Sequence, residues 1–311
     1  MFPGQSSRYP EMIEKLITED PALARFVGEA SEILGRDLAA HYRASNPEVL
    51  ARNRDVQVGV FLANHLHAMA LAAAGVEARW SIGLSLGEYN HLVHISALTF
   101  AAALRLVDAR GQLYDQAEGG LMVSVFPLEA EVVEGAIARL GLTDRVVIGL
   151  YNTPRQQVLS GERAAVEQVL AALEAEAYFE ATVLEPRIAM HAPLLADIGA
   201  RFAARLLDTP LTTPRRPYVP NVRATVIETP TPDAIRAALT AHVSRPVRWH
   251  ASIDALAAHV PGATFVEVGP KAVLFNLFGR GWNPGPRHKT DATSHWRTHV
   301  QAVAKELRDG G

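Results

Sequence analysis

Apolar and polar positions along the chain alternate at two different periods, and the period changes twice. From Val56 to Ala74 the residues are apolar almost without a break, and Gly75 follows, so the stretch predicts a long helix stopped by a left-handed glycine. Gln57 precedes its most apolar part, Val58 to Val76, and Asn64, His65 and His67 interrupt it, which predicts a buried core helix and not a membrane span. Thr99 to Gln116 predicts a second helix, with Ala103, Leu106, Val107, Leu113 and Tyr114 on one face. Upstream, Pro10 and Asp20-Pro21 each open a short helix, and His41 to Arg54 reads as a polar connection. Arg79 to Ile82 predicts a short strand.

After Gly120 the rhythm switches. Leu121–Phe126, Val146–Tyr151, Gln157–Ser160 and Ala181–Leu184 read as strands, and Glu129–Leu140 and Ala164–Glu176 as helices. That order, β-α-β-β-α-β, is the order of a ferredoxin-like unit. Residues 120–187 are therefore expected to form an inserted small subdomain within a larger unit of residues 1–119 and 188–311. The larger unit resumes with helices over Pro193–Leu207, Thr231–His242, Arg245–His259 and Ala272–Leu277. Strands are expected at Pro217–Val222 and Thr264–Val268, an exposed loop at Gly281–His295, and a closing helix at Trp296–Leu307. Alternating strands and helices outside the insert predict an α/β fold with a mostly parallel sheet.

Composition narrows the chemistry. The chain has 311 residues, 49% of them hydrophobic, enough for a large core. It contains no cysteine, so disulfides, thiolate metal sites and thiol nucleophiles are excluded. The formal net charge of -3 gives no sign of a nucleic-acid surface. Nothing at the start reads as a signal peptide, and the expected location is the cytoplasm.

The chemistry concentrates at Gly83-Leu84-Ser85-Leu86-Gly87, a Gly-x-Ser-x-Gly pattern between a predicted strand and a predicted helix. Such a turn lifts a serine hydroxyl clear of the sheet. The following helix points its free N–H groups at the serine, making the Leu86 amide a natural oxyanion donor. Arg110 lies in the middle of an apolar stripe, where an unpaired guanidinium is costly. It requires an anionic partner, either a structural carboxylate or the carboxylate of a substrate.

A serine nucleophile needs a base. Of twelve histidines, His65, His67, His91 and His94 fall on predicted helices, where local hydrogen bonds usually account for them. His295 and His299 have the spacing of zinc ligands, but no third ligand lies near them, and no metal is expected. His191 sits where the chain leaves the insert, in an irregular segment before Pro193, and is the candidate base.

These blocks together resemble the malonyl-CoA:acyl carrier protein transacylases and the acyltransferase domains of polyketide synthases. Phe2-Pro3-Gly4-Gln5 is similar to the family's FPGQG opening, and Gly83 to Tyr89 to its GHSLGEY block. Arg105 to Leu113 resembles the segment with the substrate arginine. Asn152 with Val158-Leu159-Ser160-Gly161, Ile188 to His191, Asn221, Pro246 to Trp249 and Phe265 to Lys271 match later blocks. The resemblance implies an α/β-hydrolase-like large subdomain with an inserted ferredoxin-like one. It also implies ping-pong transfer of a malonyl group from coenzyme A to the phosphopantetheine thiol of an acyl carrier protein, with no cofactor.

In that reading Ser85 is acylated and His191 is its base and acid. A backbone carbonyl near Arg248 orients the imidazole, Gln5 and Leu86 supply oxyanion-hole amides, and Arg110 holds the malonyl carboxylate. Tyr114, Asn152 and Met190 line the acyl site. A basic rim for an acidic carrier is expected among Arg79, Lys271, Arg280, Arg287 and Lys289.

Several positions depart from the family pattern. Leu84 replaces a histidine, Ser6 a glycine and Tyr114 a methionine, and Leu121 to Val125 differs from the usual GxMAA. Met190 stands where branched-extender domains carry serine, which points to unbranched malonyl. The strand before the FPGQ turn is nearly absent, which leaves open a native start upstream of Met1. These changes leave open a carrier-to-carrier transferase or a hydrolase for another acyl unit. A simple esterase would need an acid, with Asp108, Asp115, Asp144 and Glu185 available. A non-catalytic carrier-binding module would not need the serine, histidine and arginine together.

Overall fold

In a computed structural model of the chain, residues 1–279 and 281–309 are described. The chain opens with helices α1 (Glu14–Glu19), α2 (Ala24–Leu34) and α3 (Leu38–His41), which lead into α4 (Asn53–Ala73). Helix α4 is the centre of the large core. Val58, Val60, Phe61, Leu62, Ala63 and Leu66 are fully buried on several sides of it. Each large apolar side chain so buried contributes roughly 1.5–3 kcal/mol. Among the described residues α4 is the one helix long and apolar enough to cross a membrane, and two thirds of it is covered by protein.

The polar residues inside α4 each have a local reason. Asn64 donates to the Pro3 carbonyl and to Asn90 Oδ1, both at 3.0 Å. The His65 ring stacks on Phe100 at 4.2 Å, and His67 accepts from Trp296 Nε1 at 3.3 Å. Buried polar groups must be hydrogen-bonded, and these bonds tie Pro3, Asn90 and Trp296 to the core helix.

Next come α5 (Gly87–His94) and α6 (Phe100–Tyr114). Strand β1 (Gly120–Phe126), α7 (Ala130–Arg139), β2 (Val146–Thr153), β3 (Gln156–Glu162), α8 (Arg163–Glu174) and β4 (Glu180–Glu185) then form the second layer. Their sheet has the order β2-β3-β1-β4, and each of its neighbouring pairs is antiparallel. The four strands and two helices enclose their own core, which includes Val123, Val125, Val133, Leu159, Val166 and Leu173.

The chain returns through α9 (Ala196–Leu207), α10 (Pro232–His242), α11 (Trp249–His259), β5 (Phe265–Glu267), α12 (Val273–Leu277), β6 (Arg287–Lys289) and α13 (Trp296–Asp309). β5 and β6 are parallel. Phe2 forms a parallel bridge to Gly83, and Val268 N–H donates to the Met1 carbonyl at 2.8 Å. The parallel layer therefore runs from residues 82–84, through the first residues of the chain, to β5 and β6. It is short, which suits a sheet whose task is to hold one turn.

Three sequence expectations need correction. Arg79–Ile82 is not a strand; the pairing there is the single bridge between Phe2 and Gly83. Pro217–Val222 is not a strand: Tyr218 makes a single bridge to Ile227, and Pro217 and Pro220 lack the N–H groups a ladder needs. Gly281–His295 is not simply an exposed loop. It carries β6, and Thr290 and Asp291 are buried at its end.

Candidate active site

The elbow is built by close backbone approach. A methyl group at Gly83 would lie 2.0 Å from the Gly87 carbonyl, and one at Gly87 would lie 2.1 Å from the Phe2 carbonyl oxygen. Only glycine fits either place. The turn leaves Ser85 at φ 49°, a left-handed conformation that a non-glycine residue holds only against strain. Asn221 braces it. Its Oδ1 accepts from the Ser85 amide at 2.7 Å, and its Nδ2 donates to the Gly83 carbonyl at 2.7 Å.

Ser85 Oγ lies 2.7 Å from His191 Nε2. His191 is also left-handed, at φ 63°. Its Nδ1 is 2.7 Å from the His242 carbonyl, and its own amide donates to the Val243 carbonyl at 3.1 Å. The carbonyl that orients the imidazole thus belongs to His242, the last residue of α10, and not to the neighbourhood of Arg248. Arg248 serves elsewhere: its amide donates to the Asn221 carbonyl at 2.9 Å and so steadies the brace of the elbow.

A carbonyl acceptor fixes Nδ1 as the protonated nitrogen and leaves Nε2 free to accept from the serine. Burial pushes His191 down to about 3, helped by the charge of Arg110 and opposed by the His242 carbonyl. The ring is a neutral base at neutral pH. Among the described residues no carboxylate contacts His191 Nδ1, which is met by the His242 carbonyl. Asp108 is held by Arg54 through two contacts of 2.6 and 2.9 Å, Asp115 accepts from the Asn53 amide, and Glu185 accepts from Gln5 and Arg8.

The His242 ring stacks on His191 with centroids 4.8 Å apart, and its Nδ1 is 3.2 Å from Glu88 Oε2. The other oxygen of Glu88 accepts from the Tyr218 hydroxyl. Burial raises the Glu88 carboxyl to about 7 and depresses His242, so burial drives both partners toward neutrality.

Arg110 is 1% exposed, yet no ion pair reaches it among the described residues. Its Nη1 donates to Gln57 Oε1 at 3.0 Å, while Nε and Nη2 have no hydrogen-bond partner. Its cation lies over the rings of Tyr114 at 4.6 Å and Tyr89 at 5.6 Å. Gln57 in turn donates to Gln5 Oε1 at 3.2 Å. One chain of contacts therefore links the guanidinium on α6, through α4, to the turn that abuts Ser85, where Gly4 packs near the serine Cβ. Among the described residues no structural carboxylate accounts for Arg110.

The Gln5 amide follows Gly4 and the Leu86 amide follows Ser85, and neither donates within the chain among the described residues. Asn152 is buried at the end of β2 with its Oδ1 unpartnered. Met190 is also buried, and its carbonyl accepts from Ser160 Oγ at 2.6 Å. Of the rim candidates, Arg280 lies outside the described residues. His295 and His299 form no metal group, and among the described residues no cluster of three metal-ligating side chains exists.

Sequence reasoning missed Gln57, Glu88 and His242 as parts of the site. Gln57 was visible as a polar residue at the head of an apolar helix. His242 offers a main-chain oxygen, for which side-chain identity carries no signal.

Known proteins point the same way. The sequence model of the family described as "Acyl transferase domain" matches residues 1–298. The chain is 31% identical over 284 residues to the malonyl CoA-acyl carrier protein transacylase of Escherichia coli (strain K12), covering 90% of this chain and 91% of that protein. It is 28% identical over 298 residues to a phenolphthiocerol/phthiocerol polyketide synthase of Mycobacterium tuberculosis (strain CDC 1551 / Oshkosh), covering 94% of this chain and 16% of that protein. Among solved structures, a type II PKS acyl-carrier protein in complex with its malonyl-transacylase is similar at TM-score 0.88 and 29% identity, covering 97% of this chain and 98% of that one. The malonyl CoA-acyl carrier protein transacylase from Coxiella burnetii is similar at TM-score 0.90 and 26% identity, covering 98% of this chain and 96% of that one.

Proposed function

Because the chain belongs to the acyl transferase domain family, we propose that it moves a malonyl group from coenzyme A to the phosphopantetheine thiol of an acyl carrier protein, through an acyl-serine. The observation that carries this reading is a serine–imidazole contact of 2.7 Å beside a buried arginine with two free nitrogens.

In the first half-reaction, Ser85 Oγ attacks the thioester carbonyl while its proton passes to His191 Nε2. The carbonyl oxygen becomes an oxyanion, which the Gln5 and Leu86 amides receive. Donors of this kind contribute roughly 2.7–4 kcal/mol each. The tetrahedral intermediate collapses, the C–S bond breaks, and His191 returns its proton to the departing thiolate of coenzyme A. In the second half-reaction His191 removes the proton of the carrier's thiol, the sulfur attacks the acyl-serine carbonyl, and Ser85 recovers its proton. Serine, imidazole and backbone amides supply this chemistry, which calls on no resident cofactor.

Arg110 holds the free carboxylate of the malonyl group through Nε and Nη2, and Gln57 keeps the guanidinium in plane. Tyr114, Asn152 and Met190 shape the acyl site. Residues 1–119 and 188–311 act as the catalytic subdomain, and 120–187 as a smaller one that shelters the acyl-serine from water. The lack of cysteine supports a cytoplasmic setting.

Intact-protein mass spectrometry after incubation with a panel of acyl-CoAs tests the proposal. The wild type gains the mass of one malonyl group, and Ser85→Ala gains none. Malonyl retained on Ser85→Ala, or a wild type that takes acetyl and malonyl equally, refutes it.

A further inference from the structure

A cavity of about 420 Å³ opens beside the first turn of the chain, lined by Tyr9, Lys15, Lys271, Lys289, Asp291 and the exposed Glu11, among others. Asp291 is fully engaged. It accepts from Lys15 Nζ at 2.5 Å, from the Tyr9 hydroxyl at 3.1 Å and from the Lys271 amide at 2.6 Å. The ammonium groups of Lys271 and Lys289 have no ion pair or hydrogen bond among the described residues; Lys289 rests 5.8 Å over the Phe275 ring. Two free cations thus share a pocket whose buried carboxylate is already taken.

Lys271 is held there at a cost. Its φ of 62° lies in the left-handed region, where a side chain is strained and glycine is not. Burial and the neighbouring Arg8 both lower its pKa, so the ammonium lies close to a second cation. The pocket is also near the nucleophile. Lys271 follows Gly269-Pro270, and Gly269 packs against Pro3 and Asn64; Gly4 in turn packs against Ser85. Arg8 reaches the Gln5 carbonyl at 3.2 Å.

We propose that this pocket is a phosphate subsite, in which Lys271 and Lys289 bind a phosphate of the thioester substrate's carrier group. It rests on the acyl-transfer reading above, because both thiols in that reaction sit at the end of a pantetheine arm that carries phosphate at its other end. The phosphate comes either from the 3′-phosphoadenosine diphosphate end of coenzyme A or from the phosphodiester that joins pantetheine to the carrier protein.

The test is calorimetric binding to the full-length chain, with Lys271→Gly/Lys289→Met beside the wild type. Glycine suits the backbone at 271, and methionine keeps the stem that packs on Phe275, so the variant is expected to fold. Coenzyme A should bind the variant at least about tenfold more weakly, the scale of removing one charge-assisted hydrogen bond. Pantetheine, which has no phosphate, should bind both proteins equally. Unchanged affinity for coenzyme A overturns the proposal, and so does an equal loss for pantetheine. Titrations with 3′-phosphoadenosine 5′-phosphate and with 4′-phosphopantetheine name the source: the one that the variant weakens identifies which phosphate sits in the pocket. Gain of malonyl mass on Ser85, measured separately, tests the transfer reading independently of these affinities.

Discussion

Replacing Arg110 by alanine separates carboxylate recognition from acyl chemistry. In the folded chain the guanidinium makes one hydrogen bond, to Gln57, and holds Nε and Nη2 unpartnered in a buried site. A malonyl carboxylate would take both. A hydrogen bond to a charged group is worth about 1.5–3 kcal/mol, so two give roughly 3–6 kcal/mol. At 1.36 kcal/mol per tenfold in rate, Arg110→Ala should lower kcat/KM for malonyl-CoA by roughly 10²–10⁴. Acetyl-CoA has no carboxylate and should lose much less, or gain from the removal of an uncompensated cation. The assay is stopped-flow release of coenzyme A in the single-turnover acylation of Ser85, run with both thioesters. The pH profile gives an independent sign. Arg110 helps burial to hold His191 near 3, so its removal lets the imidazole pKa rise. The base is active when neutral; the acid limb of kcat/KM should therefore move to higher pH in the variant. Equal losses for the two thioesters, with an unmoved acid limb, would refute this account of Arg110.

Asn221→Ala strips the elbow of two 2.7 Å hydrogen bonds and leaves the Ser85 amide and the Gly83 carbonyl unmet. A loss of about 2–4 kcal/mol in stability is expected, with slower acylation, and denaturant unfolding beside a burst assay checks it. Stability should also fall with acid. His65, His67, His91, His94 and His191 are depressed by burial to between about 3 and about 4. Between those values and 6.5 the unfolded chain binds more protons than the folded one, so stability is full above 6.5 and is lost as pH falls. Glu88 and Glu267, both raised to about 7 by burial, act in the opposite sense between 4.5 and 7, but the histidines outnumber them. A Tm that stays level between pH 7 and pH 4.5 would contradict this.

What could be read from the chain was whatever repeats or excludes. The spacing of Gly83, Ser85 and Gly87 announces a turn because other residues would collide there. Arg110 stands out because a charge falls on an apolar period. The switch from helical to alternating patterns after Gly120 marks a change of layer. The parts that stayed hidden depend on the main chain or on distant packing. His242 acts on Nδ1 through its carbonyl, which every residue type possesses, so Arg248 was an equally good guess. Whether Pro217–Val222 pairs depends on which neighbours arrive, and its prolines decide against a ladder. Gln57 gains its place from two partners 52 and 53 positions away, which no local window contains.

Adjacent residues at the exit of the small sheet are fastened to different elements. Met190 is tied through its carbonyl to Ser160 on β3, whereas His191 is tied at both amide and ring to consecutive carbonyls at the end of α10. β2 is in turn bridged to Val247, four residues beyond Val243, through Tyr151 N–H to the Val247 carbonyl at 2.9 Å and Val247 N–H to the Gly149 carbonyl at 2.8 Å. The small sheet and the imidazole therefore share one main-chain frame, so a substitution that loosens the Val247 bridge should disturb Met190 and His191 together.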